Sequence, residues 1–248
     1  MFVIQLIEVS DLKKYYSSGL IKKQYTRAVD GVSFQIKKGE TLGLVGESGC
    51  GKTTVGRLLL HLIEPTSGKI MFDGVNLIGL KKRELRKLRP RMQMIFQDPE
   101  SSLNPRMKIG ESIAEPFRLG LRGKICTHEI KSQIKDLIEI VGLNPEHVNR
   151  YPYQLSGGQN QRVVLARILA INPEFIVADE PTAALDVSVQ AQILRLIMNL
   201  KKDFGLTMLF ISHDLEVVRH MSDRIAVMEM GRIVAVDSVK RDDCNRSV

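Results

Sequence analysis

Between Gly43 and Leu60 the chain reads GLVGESGCGKTTVGRLLL, and Gly46 to Thr53 within it match G-x-x-x-x-G-K-[ST]. Such spacing suits phosphate. Glycines let the backbone turn tightly, so that successive N–H groups converge on anionic oxygens, and the N-terminus of the following helix adds partial positive charge. On this reading Gly46, Glu47, Ser48, Gly49, Cys50, Gly51, Lys52, Thr53 and Thr54 wrap the phosphates of a nucleotide. The Lys52 ammonium would hold the β- and γ-phosphates and the Thr53 hydroxyl would bind Mg²⁺.

Three further stretches carry chemistry. In FIVADEP, largely apolar residues precede Asp179 and Glu180, as expected of a buried strand that delivers carboxylates to the ligand edge of an open α/β sheet. Asp179 suits a Mg²⁺ shell. Glu180, turned the other way by the alternation of side chains along a strand, is placed to orient or deprotonate an attacking water. The apolar run TMLFIS ends beside His213, within reach of a phosphate if that strand is the next one along. In YQLSGGQNQRVVLARILA, Ser156, Gly157 and Gly158 open an amphipathic helix whose N-terminus can bind a second anion. A surface helix capped by serine has no need of two glycines, each of which costs up to about 1 kcal/mol of helix stability. One nucleotide does not require two distant helix N-termini from one chain, which suggests a composite site completed by a second chain.

The elements that must position these groups follow from periodicity. The N-terminal third is strand-rich, with FVIQLIEV, VSFQI, TLGLV and KIMFDG, the last closed by Asp73-Gly74. An amphipathic helix is expected over TTVGRLLLHLI. From about residue 99 to 159 the pattern is helical, and Ile130, Ile134, Leu137, Ile138 and Val141 share one face. After it come a helix over 157–170, the strand FIVAD, the helix VQAQILRLIMNLKK, the strand TMLFIS, and the paired strands RIAVMEM and RIVAV around Gly231. Strands alternating with helices imply an α/β fold, a P-loop NTPase core with a mainly parallel sheet covered on both faces.

Composition narrows the setting. At 248 residues and 44% hydrophobic, the chain can bury a substantial core. No run approaches the roughly 18 residues of a spanning helix, and MFVIQLIEVS lacks a basic leader region, so a cytosolic chain is expected, touching membrane only through partners. Cys50, Cys126 and Cys244 match neither a metal site nor a disulfide framework and are read as thiols. The net charge of +8 is concentrated in LKKRELRKLRPR and IKSQIKDL, read as solvated helix faces rather than a nucleic-acid surface.

Together these motifs resemble the nucleotide-binding subunit of ATP-binding cassette (ABC) transporters. The matching stretches are GESGCGKT, FQDP with Gln97, the signature LSGGQ from Leu155 to Gln159, FIVADE, AALD from Ala183 to Asp186, and SHD with His213. DPESSLNPRM and AVDGVSFQIKKGETLGLVGESGCGK further resemble the oligopeptide, dipeptide and nickel importers.

The resemblance implies a single ABC ATPase domain. Its catalytic core and N-terminal antiparallel β subdomain would occupy 1–98 and 160–236, with an inserted helical subdomain at 99–159 and a polar tail at 237–248. Two such subunits, like or unlike, would meet head to tail. Each ATP would lie between one phosphate loop and the partner's Leu155, Ser156, Gly157, Gly158 and Gln159, with Ala184, Leu185 and Asp186 beside it. Lys52, Gln97, Glu180 and His213 would be catalytic, and Thr53, Gln97 and Asp179 would hold Mg²⁺. Adenine would stack on Tyr16, with Tyr15 as the second choice. Two membrane-spanning permease subunits and an extracytoplasmic solute-binding protein are the implied partners, placing the chain on the cytoplasmic face of the membrane. The alternatives are an ABC ATPase of an exporter or lipid-related class, or a soluble one. Ala183 stands where serine usually begins the AALD segment, and Asn160 where a longer side chain is common.

Overall fold

A computed structural model describes residues 4–18, 24–119 and 126–239; Cys244 and the end of the polar tail lie outside them. In chain order the elements are β1 (Gln5–Ser18), β2 (Gln24–Lys37), β3 (Thr41–Val45), α1 (Lys52–Leu59), β4 (Ser67–Phe72), β5 (Val75–Asn76), α2 (Lys82–Leu88), β6 (Met92–Ile95), α3 (Ile109–Arg118) and α4 (Thr127–Ile140). There follow α5 (Gly157–Leu169), β7 (Phe175–Asp179), α6 (Val187–Phe204), β8 (Thr207–Ser212), α7 (Leu215–Met221), β9 (Arg224–Glu229) and β10 (Arg232–Ser238). They group into two compact units, one formed by the residues up to Ile78 and from Met208 onward, the other by Gly79–Thr207.

The first unit joins two kinds of sheet. β1 lies between β2 and β4, antiparallel to both, and β4 turns at Asp73-Gly74 into β5. Along β2, Val32, Phe34 and Ile36 are buried while Ser33, Gln35 and Lys37 are exposed, the period-2 pattern of a sheet with one face in water. β3 is different. All five of its residues are buried, and it is paired in parallel with both β8 and β9, so its apolar run TLGLV has no solvent face to serve. The hairpin β9–β10 closes this part antiparallel.

β1, β2 and α1 differ in extent from the periodicity. β1 and β2 extend well beyond the apolar runs, because cross-strand pairing continues through polar residues as far as Ser18 and Gln24. α1 stops at Leu59 rather than running through LHLI. His61 adopts a left-handed φ of +48°, its N–H donates to the Leu58 carbonyl, and the Leu62 N–H reaches the Arg57 carbonyl. This is a Schellman stop with histidine in the position glycine usually takes.

The second unit is helical around a parallel pair. β6 and β7 pair from Met92–Phe175 to Ile95–Ala178. Of the face expected for α4, Leu137 and Ile138 are buried, as is Val141 at its C-cap, and they join a core with Ile109, Ile113 and Phe117 of α3 and Val163 and Leu169 of α5. The α/β fold with parallel strands and an antiparallel β subdomain is the one the sequence implies.

Candidate nucleotide site

In the first unit the phosphate-loop sequence joins the end of β3 to α1. Two of its glycines are required by their surroundings. A methyl on Gly46 would lie 2.2 Å from the Met228 carbonyl oxygen, and one on Gly51, whose φ is +109°, would lie 2.1 Å from the Ala28 carbonyl oxygen. Any side chain at either would collide with a backbone carbonyl, which cannot swing aside as a flexible side chain could. The Gly51 contact arises from a bulge. Lys14 pairs with Val29 but Tyr15 with Arg27, so Ala28 is the extra residue on β2 and bends toward the loop. The β9–β10 turn stitches the same region, since the Gly231 N–H donates to the Cys50 carbonyl and the Asp30 N–H donates to the Gly231 carbonyl.

Lys52 is 5% exposed, and its Nζ donates to the carbonyls of Gly46 (2.7 Å) and Glu47 (2.9 Å), with the Cys50 Sγ at 3.9 Å. The ammonium is therefore drawn onto the first residues of the loop. Thr53 and Thr54 occupy the first turn of α1. Val45 pairs with Ser212, so Gly46 and His213 leave adjacent parallel strands at the same level, which places His213 beside the start of the loop. Tyr16 pairs with Thr26, two residues along β2 from the Ala28 that abuts Gly51. Its ring is 43% exposed, with the Lys14 Nζ 5.1 Å from the centroid. Tyr15 is engaged elsewhere: its hydroxyl donates to Asp30 at 2.5 Å and the Arg27 guanidinium covers its ring at 5.6 Å.

In the second unit the parallel pair sets out the carboxylates. Arg91 holds Glu174 with two donors, Nε to Oε1 and Nη2 to Oε2, and the Glu174 N–H donates to the Arg91 carbonyl. That clasp fixes the register at the start of β6 and β7. At the other end Ile95 is level with Ala178, and two residues on, the Gln97 side-chain amide donates to Glu180 Oε2 at 3.4 Å. Asp179 is buried at the end of β7, whereas Glu180 is partly exposed with φ of +45°, so the chain leaves the strand between them and separates their directions. Gln161, a fully buried residue of α5, donates through Nε2 to the Pro181 carbonyl at 2.8 Å and braces this turn.

At the start of α5, Ser156 and Gln159 form a reciprocal capping box, the Ser156 N–H donating to Gln159 Oε1 and the Gln159 N–H to Ser156 Oγ. Leu155 is buried just before it. The two glycines are not equivalent. A methyl on Gly158 would meet Val189 Cγ1 at 2.4 Å, whereas one on Gly157 would meet only the Leu185 Cδ2 at 3.1 Å. Ala184, Leu185 and Asp186 lead into α6, and Asp186 is its N-cap residue. Asn160, where a longer side chain was expected, is buried and donates to the Pro152 carbonyl.

The family model described as ABC transporter matches residues 29–183. The chain belongs to the ABC transporter family. It is an ATP-binding, ATP-hydrolysing cassette of that family. The oligopeptide transport ATP-binding proteins AppF and OppF of Bacillus subtilis (strain 168) are 50% identical over 234 residues and 51% identical over 231. These alignments cover 92% and 93% of this chain and 70% and 74% of the relatives. The ATP-binding cassette MJ0796, solved as a dimer in a post-hydrolysis state with ADP and Pi, superimposes with a TM-score of 0.84 at 30% identity, covering 95% of this chain and 99% of that one. The cbiO1 protein of Clostridium perfringens, part of the ABC transporter complex cbiONQ, gives 0.83 at 28% identity over 96% and 90% of the two chains.

Sequence reasoning missed Gln161, Asp30 and the Ala28 bulge in this ABC ATPase. Gln161 and Asp30 act by hydrogen bonds to residues 20 and 15 positions away, which no local spacing announces. Among the described residues no helix is long and apolar enough to cross a membrane.

Proposed function

We propose that this ABC ATPase is the energy-supplying subunit of an importer of oligopeptides or closely related solutes. The observation that carries the reading is the half-identity to AppF and OppF across more than nine-tenths of the chain. In this proposal two ATPase subunits, identical or related, face head to tail. Each ATP is held by Gly46–Thr54 of one and by Leu155–Gln159 of the other, with Ala184, Leu185 and Asp186 alongside. Residues 99–159 form the helical subdomain of a single ATPase domain and meet the membrane-spanning subunits, which keep the chain at the cytoplasmic face of the membrane. A solute-binding protein delivers the cargo.

The roles follow from chemistry. Lys52, already drawn over the loop, exchanges carbonyl partners for the β- and γ-phosphate oxygens. Thr53 hydroxyl, Asp179 carboxylate and Gln97 amide are hard oxygen donors, the set that suits Mg²⁺. When bound, Mg²⁺ neutralises phosphate charge. Glu180, oriented by the Gln97 amide, accepts a proton from the attacking water, and His213 donates to the γ-phosphate. Tyr16 offers the exposed ring on which adenine stacks.

The test is co-purification. Tagged chain extracted gently from membranes of its native cells should bring stoichiometric multi-span subunits, and cells lacking it should lose uptake of short peptides. Recovery solely from the soluble fraction, bound to ribosomes or nucleic acid, would refute the transport reading while leaving the ATPase in place.

A further inference from the structure

We propose that Asp30 is a positioning residue for the adenine platform, holding Tyr16 in place through Tyr15 and the β9–β10 turn. The inference deepens the reading of Tyr16 as the stacking ring and rests on it. The end of β1 that carries this ring runs past the sheet that supports the rest of the strand. The strand pairing of β1 with β4 ends at Lys13 and Ser67; the Lys14 ammonium still donates to the Glu64 carbonyl and the Tyr15 N–H to Thr66 Oγ1, and beyond them Tyr16 to Ser18 are paired with β2 alone. A two-stranded ribbon is marginal by itself in water. The Ala28 bulge interrupts even this pairing one step before Tyr16.

The ribbon is tied down at Tyr15. Its hydroxyl donates to Asp30 Oδ1 at 2.5 Å, and the same carboxylate takes two hydrogen bonds from Arg232 on β10, at 2.7 and 3.2 Å, with Arg27 at 3.7 Å. The Asp30 side chain is only 10% exposed, unlike the two arginines, at 65% each. Charge-assisted bonds around a shielded carboxylate are the stronger kind. The carboxyl of Asp30 is held below its ordinary range by the Tyr15 hydroxyl and by Arg232, in keeping with an acceptor used from several sides. Its backbone serves the same end, for the Asp30 N–H donates to Gly231, whose own N–H donates to Cys50 inside the phosphate loop. One residue thus joins the strand that carries the ring to the turn that holds the loop. Tyr16, adjacent to Tyr15 and so facing the opposite way, inherits its position from that anchor. The consequence is selective. Loosening Asp30 should weaken recognition of the base and leave the phosphates, held by Lys52 and the loop, where they were.

The experiment compares two probes on the purified full-length chain, ATP and inorganic tripolyphosphate, which lacks the base. Asp30→Ala and Tyr15→Phe should each raise the Kd for ATP about fivefold, the scale of one lost side-chain hydrogen bond, and leave that for tripolyphosphate within about twofold. Asp30→Asn, which keeps an acceptor for the tyrosine, should lie between Asp30→Ala and the parent. Equal weakening of both probes would make Asp30 a general structural residue and overturn the proposal, as would unchanged ATP affinity. Tyr15→Phe carries the test if Asp30→Ala fails to fold. Tyr16→Ala separates the two readings. If it weakens ATP alone while the Asp30 and Tyr15 variants do not, only the positioning role fails; if it leaves ATP affinity unchanged, the stacking reading fails and the proposal falls with it.

Discussion

The two glycines of the signature should part company under substitution. A methyl on Gly158 would sit 2.4 Å from Val189 Cγ1, more than 1 Å inside the roughly 3.5–4.0 Å at which carbon atoms rest, so α5 and α6 must separate or Val189 must leave its rotamer. Overpacking of this kind costs about 1–3 kcal/mol, against which alanine returns up to about 1 kcal/mol of helix propensity. Gly158→Ala should therefore destabilise by about 1–2 kcal/mol. Gly157→Ala meets only the end of a leucine side chain at 3.1 Å, which can swing aside, so its stability should be unchanged or higher by up to about 1 kcal/mol. Denaturant titration of the full-length chain reads both. Adding Val189→Ala to Gly158→Ala removes the obstructing methyl and should show a favourable coupling of about 1–2 kcal/mol. If Gly157 is where phosphate approaches the helix N-terminus, Gly157→Ala should nonetheless lose about tenfold or more in ATP turnover while remaining folded. Equal destabilisation by the two alanines, or no coupling to Val189, would refute the packing argument.

Other outcomes can be checked alongside. Glu180→Gln should lower ATP turnover by about 10²–10⁴ while nucleotide binding persists, measured by phosphate release and by titration. Lys52→Ala should abolish tight ATP binding in the same titration, and retained micromolar affinity would remove the lysine from the phosphates. Asp30 gives a pH signature. Its carboxyl is depressed by the Tyr15 hydroxyl first, then by Arg232, with Arg27 also nearby. Its stabilising contribution is therefore complete above about pH 4 and lost as the pH falls through the folded value. The Tyr15 hydroxyl is raised by the same bond, so its share is complete below about pH 10 and lost as the pH rises through its folded value. Unfolding curves should show Asp30→Asn less stable than the parent at neutral pH, with the difference narrowing as the pH falls below about 4; a gap that does not narrow in acid would contradict this.

How much of this was readable from the sequence depended on the range of the interactions concerned. β3, β7 and β8 were legible because full burial writes itself as an unbroken apolar run, and α4 because Leu137, Ile138 and Val141 recur on one face. The phosphate loop was legible because its glycines and lysine act within eight residues of one another. The end of α1 was not, since its stop is made by histidine in a left-handed turn and apolar residues continue past it. Nor was the reason for Gly158, whose neighbour Val189 lies 31 positions on. The double glycine suggested anion binding at both residues; one of them is also demanded by the approach of α6.

The stitched turn at Met230-Gly231 has a practical side. Hairpin tips are the usual places to graft a tag, a fluorophore or an epitope, and Met230, 91% exposed, invites one. Yet the next residue holds the Cys50 carbonyl and the Asp30 N–H together, so cargo inserted there would be transmitted directly to the phosphate loop. The tip between β4 and β5 is the safer handle. A side chain on Gly74 would meet nothing within 4 Å, and a fusion there leaves the hydrogen bonds of the β9–β10 turn untouched.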